Sequence, residues 1–358
     1  MKKIFIALMF IVMMYNISYA NEGNIQFGDN YYSIYGSISN LKLYINTLYY
    51  NGDTKLAVIN AMTLCKEKEL AINTIIQGIK SVDNGTSLII LLAECDKVET
   101  TEDGALIKMD SENGNILNSI VFDLCPMSMA IDEQNTYAYV TTGIRHDIDG
   151  KLLKISLDNF QIEREIQFGR TSDSMALTND GEKLYVKSQE YLGAIEGYDD
   201  NFYVSIFDTS DLSLIGHIPI SFLHSNLIMG YDERLYIANR TAVAWEPSIL
   251  VIDTETDHIV ETINPACGGI GFMAIDKVNR KLYCTTFPQT YHDLETDEWY
   301  HQASNLILEL DLQDYSHRLI TVGDSEYWEI AIVNINGNCR LFCGENEGPK
   351  IYYKDVGD

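Results

Sequence analysis

One apolar triplet returns seven times along this chain, and that recurrence limits what it can fold into more than any other feature. Leu184-Tyr185-Val186 has counterparts at Leu43-Tyr44-Ile45, Leu88-Ile89-Ile90, Ala138-Tyr139-Val140, Leu235-Tyr236-Ile237, Leu282-Tyr283-Cys284 and Leu341-Phe342-Cys343. The central residues stand 45, 50, 46, 51, 47 and 59 positions apart. A second marker keeps step with the first: the run ending at Asp208 has counterparts ending near Asn60, Asp110, Ser156, Asp253, Asp311 and Lys354. A third is the segment Met129-Ala130-Ile131, repeated at Met175-Ala176-Leu177, Met273-Ala274-Ile275 and Ile330-Ala331-Ile332. Self-similarity at a fixed period of this size is the signature of a repeat architecture.

Residues 175–220 show what one unit contains. Four short runs rich in Val, Ile, Tyr and Phe are separated by turn residues such as Asn179-Asp180-Gly181. Such runs read as strands joined by tight turns. A four-stranded antiparallel unit of this length is a propeller blade, and a blade can cover both its faces only by stacking on its neighbours. The expectation is an all-β, seven-bladed β-propeller. The last copy supplies three strands, near 329–333, 340–343 and 350–354, and then the chain stops at Asp358. Ile25-Gln26-Phe27-Gly28 repeats Ile166-Gln167-Phe168-Gly169, the outer strand of the third unit. Residues 24–28 are therefore expected to complete the last blade, hiding two free strand edges.

Residues 1–20 read as a secretory signal peptide. Lys2 and Lys3 precede an apolar run, Ile4 to Tyr15, and Ser18-Tyr19-Ala20 offers small residues at the cleavage positions. That leaves 21–358 as one propeller domain, exported to the periplasm, the medium or the cell surface, with no transmembrane segment once the peptide is cut. The net charge of the 358-residue chain is −27; losing residues 1–20 removes two lysines and no acid, which makes it −29. Such a chain repels phosphate backbones, so nucleic acid is excluded as a partner. The seven cysteines are thinly spread and replace apolar residues in the strands, so most are expected to be free, buried thiols. Cys339 and Cys343 fall on one strand, too far apart to bond.

On the triplets and on Ile206-Phe207-Asp208 and Val251-Ile252-Asp253-Thr254, the sequence resembles the YVTN-repeat β-propellers, relatives of surface-layer propellers and of the β-chain of quinoprotein amine dehydrogenases. The resemblance covers nearly all of 24–358 and implies the fold. Such propellers serve as binding proteins, enzyme subunits and surface proteins, so it implies no single chemistry.

Motifs for covalent haem, for nucleotide phosphates, for zinc peptidases and for serine hydrolases are absent from the sequence. Gly268-Gly269-Ile270-Gly271 reads as a connection between blades, and Asp147-Ile148-Asp149-Gly150 as a turn. The Asp that ends most third strands recurs too regularly to be a unique catalytic group and reads as a turn cap. The loops between second and third strands carry the distinctive chemistry. Across 47–54, 92–104, 141–150, 187–202, 238–247, 285–304 and 344–349 there are 19 acids and four bases, Lys97, Arg145, Lys187 and Arg240. Aromatics are interleaved, among them Trp245, Tyr291, Trp299 and Tyr300. This rim suits a basic protein or peptide or a cationic small molecule, through charge and cation–π contact. The candidate ligand-binding residues are Trp245, Tyr291, Asp293, Glu295, Asp297, Glu298, Trp299 and Tyr300. His292 and His301 in the same insert are donors of the kind a metal ion takes, at a spacing that matches no established ligand pattern.

The expected function is a non-enzymatic binding propeller using this rim. The alternatives are a lactonase-like hydrolase, a quinoprotein dehydrogenase-like subunit, or a structural cell-surface protein. A hydrolase would need charged groups converging on the central channel at the loop rim, with His146, Arg240 and His301 as candidates.

Overall fold

A computed structural model describes residues 22–26, 33–37, 41–48, 54–72, 74–93, 104–144, 148–168, 174–190, 201–221, 224–239, 247–287, 289–293, 298–302, 305–345, 348 and 350–357. They form seven four-stranded antiparallel sheets, each a blade, and one two-stranded ribbon. From inner to outer strand, blade 1 is Ser33–Ser37, Lys42–Leu48, Thr54–Asn60 and Lys66–Ala71. Blade 2 is Ile75–Val82, Ser87–Ala93, Gly104–Asp110 and Ile116–Phe122. Blade 3 is Pro126–Ile131, Tyr137–Ile144, Ile148–Ser156 and Gln161–Phe168. Blade 4 is Met175–Leu177, Lys183–Glu190, Asn201–Asp208 and Leu214–Ile220. Blade 5 is His224–Met229, Arg234–Asn239, Ile249–Asp253 and His258–Ile263. Blade 6 is Ile270–Asp276, Lys281–Thr286, Leu306–Asp311 and His317–Thr321. Between its second and third strands lies the ribbon of Gln289–Asp293 and Glu298–Gln302.

Blade 7 takes Tyr327–Ile335, Asn338–Glu345 and Lys350–Val356 from the C-terminal end and its outer strand, Glu22–Gln26, from the other. Ile25 pairs with Ile351 and packs against the core, and Lys354 Nζ meets Glu22 Oε2 at 2.8 Å. The closing strand thus begins two residues earlier than expected, and Phe27-Gly28 lies outside the described residues.

The triplets are unbroken apolar runs because both faces of their strands are covered, unlike a sheet with one wet face. Leu184 and Val186 pack back against blade 3, with Tyr139 and Leu152. Tyr185, one residue on and so on the other face, packs forward with Leu235 and Ile237 of blade 5. The same division recurs around the ring, so that each of the seven seams holds its own apolar cluster. The seam between blades 7 and 1 joins Val333 and Phe342 to Leu43 and Ile45, which closes the circle.

The turns explain the recurring Asp. After the third strand, Asp110 Oδ1 accepts the backbone N–H groups of Glu112 and Asn113 at 2.8 and 3.0 Å. Asp253 does the same for Glu255 and Thr256, and Asn60 for Met62 and Thr63. Asp208 accepts from Ser210 and Asp311 from Gln313. Four residues after each cap position the chain turns left-handed, at Leu64, Gly114, Phe160, Leu212, Asp257 and Tyr315.

Five of the described cysteines are free thiols, and Cys267, Cys284, Cys339 and Cys343 are buried as expected. Burial pushes the Cys267 thiol up to about 12, and pushes the other three up as well. Two cysteines depart from the expectation: Cys65 is exposed at a turn, and Cys125 is disulfide-bonded. Cys95 lies outside the described residues.

Candidate functional site

Antiparallel order gives the ring two unlike ends. At the upper end the second strand of each blade runs into the third, and each outer strand runs on to the next blade. At the lower end lie the first-to-second and third-to-outer turns.

Of the predicted loop residues, those described sit on the blade 6 ribbon, between second and third strands and so at the upper end. Trp245, Glu295 and Asp297 lie outside the described residues, as do His146 and Arg240. Tyr291, His292 and Asp293 stand on one strand of the blade 6 ribbon, and Glu298, Trp299, Tyr300 and His301 on the other. In that register Tyr291 is opposite Tyr300 and Asp293 opposite Glu298, so two aromatic and two acidic positions form adjacent cross-strand pairs. His292 is opposite Trp299 and His301 opposite Thr290, which makes the two histidine positions a diagonal pair. The turn expected at 147–150 is not what the structure shows: Ile148, Asp149 and Gly150 already belong to the third strand of blade 3, and Asp147 lies outside the described residues. Gly268 and Gly269 join blade 5 to blade 6, with Gly269 O accepting the N–H of Phe287, while Ile270 and Gly271 already open the inner strand of blade 6.

Several carboxylates of the lower end are already engaged. Backbone N–H donors hold the Asp110 and Asp253 carboxyls below the ordinary aspartate value. Asp257 Oδ2 takes the Lys183 ammonium at 2.8 Å, and its other oxygen accepts the Tyr185 hydroxyl at 2.5 Å. Burial, with Asp257 beside it, pushes the Tyr185 phenol far up, so this triplet tyrosine is a neutral donor bolting blade 4 to blade 5. Tyr236 likewise donates to Asp232 at 2.9 Å.

A cavity of about 290 Å³ occupies the lower half of the central channel. Met129, Met175, Leu227 and Met229 form its apolar wall, and Lys80, Asp132, Glu133, Asn179 and Lys277 its polar floor. Lys80 reaches from the inner strand of blade 2 to blade 3, donating to Ile131 O at 2.8 Å and Asp132 O at 3.2 Å. These carbonyls lie at the end of an inner strand, whose channel-side edge has no partner strand to satisfy it. Lys277 of blade 6 pairs with Glu133 of blade 3 at 3.2 Å, spanning the mouth. Burial pushes the Lys80 ammonium below the ordinary lysine value; Asp132 and Glu133 oppose this and Lys277 adds to it.

The candidate residues named from the sequence did not include Lys80, Glu133 or Lys277, yet the repeat carries a signal for the first. In blades 3, 4 and 6 an inner-strand alanine faces the triplet tyrosine: Ala130 opposite Tyr139, Ala176 opposite Tyr185, Ala274 opposite Tyr283. In blade 2 the pair is Lys80 opposite Ile89. The tyrosine is lost and the alanine becomes a lysine, a double break in one register position.

No family of known proteins matches the chain, and no curated protein matches it by sequence. Its backbone is similar to the β-propeller domain of Cps50 (Swd1) from Myceliophteria thermophila. The TM-score is 0.66 at 10% identity, over 94% of this chain and 100% of that domain. At that identity the likeness concerns the fold alone. The protein is a seven-bladed β-propeller. No helix of the described residues is long and apolar enough to cross a membrane.

Proposed function

We propose that this propeller is an exported, non-enzymatic binding protein whose ligand is a basic protein or peptide, or a cationic small molecule, seated on the upper rim. The observation that carries the reading is the placement of charge: the second-to-third loops hold 19 acids against four bases. Lower-end acids such as Asp110, Asp253 and Asp257, by contrast, are tied into turns and seams. The cross-strand positions of Tyr291 with Tyr300 and of Asp293 with Glu298 support a built surface on the blade 6 insert. Export rests on residues 1–20, and the disulfide at Cys125 supports an oxidising destination. Kinship with the YVTN-repeat propellers rests on the triplets.

The test is binding kinetics with an oligo-arginine peptide at two salt concentrations. Opposite charge accelerates encounter, and the Debye length shrinks from about 10 Å at 0.1 M salt to about 3 Å at 1 M. Replacing Asp293, Glu295, Asp297 and Glu298 by Asn or Gln slows association. Replacing Trp299 by Ala speeds dissociation, the rate in which packing losses appear. Salt-independent binding, or full affinity in both variants, would show that the ligand sits elsewhere.

A further inference from the structure

At Lys80, among the described residues, the repeat is broken by a chemically active group that lines a cavity. Its side chain is half-buried and lines the lower channel beside Met129, Met175 and Met229. Two carbonyl oxygens, Ile131 O and Asp132 O, accept two of its N–H bonds. A neutral amine keeps both bonds and gains a lone pair in place of the third proton. A lysine desolvated in an apolar site, with a second cation nearby, is the situation that turns this side chain into a nucleophile. Burial is the main force lowering the Lys80 ammonium; Asp132 and Glu133 work against it, and Lys277, the second cation, adds to it. The cavity, about 290 Å³, is at the small end of the range for ligand sites. Thioether walls are polarisable, adapt to irregular shapes and make favourable contacts with aromatic rings.

From this geometry we infer that Lys80 is a carbonyl-reactive amine, at which small aldehydes with an apolar, preferably aromatic body condense reversibly inside the channel. The amine nitrogen adds to the carbonyl carbon to form a carbinolamine. The former carbonyl oxygen then leaves as water, taking up the two protons of the amine, and a C=N bond remains. No electrons are exchanged, so no oxidant or reductant is required. If the imine is protonated, its one N–H still has the Ile131 carbonyl as acceptor. Asp132 is held by the N–H groups of Thr136 and Tyr137 and stays in place. Glu133 and Lys277 close the mouth beneath.

The experiment uses the full folded chain with benzaldehyde and sodium cyanoborohydride, which traps any imine as a stable secondary amine, followed by peptide mass spectrometry. Every other lysine serves as an internal control, and the same reaction in concentrated urea gives each lysine's rate without structure. The expected result is that Lys80 is modified severalfold faster than Lys277 and the surface lysines in the folded protein, and that the preference disappears in urea. Modification of Lys80 at the surface rate or more slowly, or a preference that persists in urea, overturns the assignment. The outcome is independent of the upper-rim proposal, since it involves neither the loops nor a cationic ligand.

Discussion

Leu212 occupies the left-handed region at φ 60° and yet is 1% exposed, locked into the seam between blades 3 and 4. The left-handed conformation costs an L-residue about 1–2 kcal/mol, while a buried leucine cut to alanine loses about 2–5 kcal/mol. Burial therefore wins, and the position accepts a side chain that most turns would refuse. Blade 2 uses Gly114 at the same place. It follows that Leu212→Gly, which relieves the backbone, is less destabilising than Leu212→Ala, the reverse of the usual order; thermal melts of both variants check it. Asp253 gives a second residue-level prediction. Its native value is lowered by backbone donors, so its stabilisation is present above the unfolded value of about 3.8 and is lost as pH falls through the native value. Asn60 performs the same capping with an amide oxygen in blade 1. Asp253→Asn should accordingly keep the melting temperature near neutral pH and flatten its decline below pH ~4, whereas Asp253→Ala lowers it throughout. An unchanged acid limb in the Asn variant would count against the turn as its source.

Among the strands, the outer one of blade 7 has the largest leverage. Glu22–Gln26 pairs along its whole length with residues 350–354 and places Ile25 on the seam with blade 1. Deleting residues 21–28 exposes that edge while leaving every other blade complete. The expected result is a marked fall in melting temperature with the β-sheet circular dichroism retained; an unchanged melting temperature contradicts closure by this strand. This element was legible because Ile25-Gln26-Phe27-Gly28 copies a strand already placed by the repeat. The seams were legible for the same reason, since the triplets name the residues that face each neighbour. The Cys125 disulfide was not, because a bridge depends on which positions meet in space, and the spacing of seven scattered cysteines does not encode that.

Taken around the whole ring, the two ends divide the labour. Lower-end carboxylates hold turns and seams, and one lysine and one ion pair from blades 2, 3 and 6 furnish the channel floor. Those three blades contribute residues nearly 200 positions apart, so the floor could be read only once the register was known. The clue was the Lys80–Ile89 exchange, invisible without the pairing of each inner strand to its triplet. The upper rim was legible as composition, because its acids crowd into the loops that the repeat leaves over. The claim that this rim is the binding surface is tested most directly by hydrogen–deuterium exchange with and without an oligo-arginine peptide. Protection is expected to be confined to peptides covering the second-to-third connections, with the blade 6 ribbon prominent among them and the lower turns unchanged. Protection at the lower turns or the channel floor, or none anywhere under saturating peptide, would contradict it.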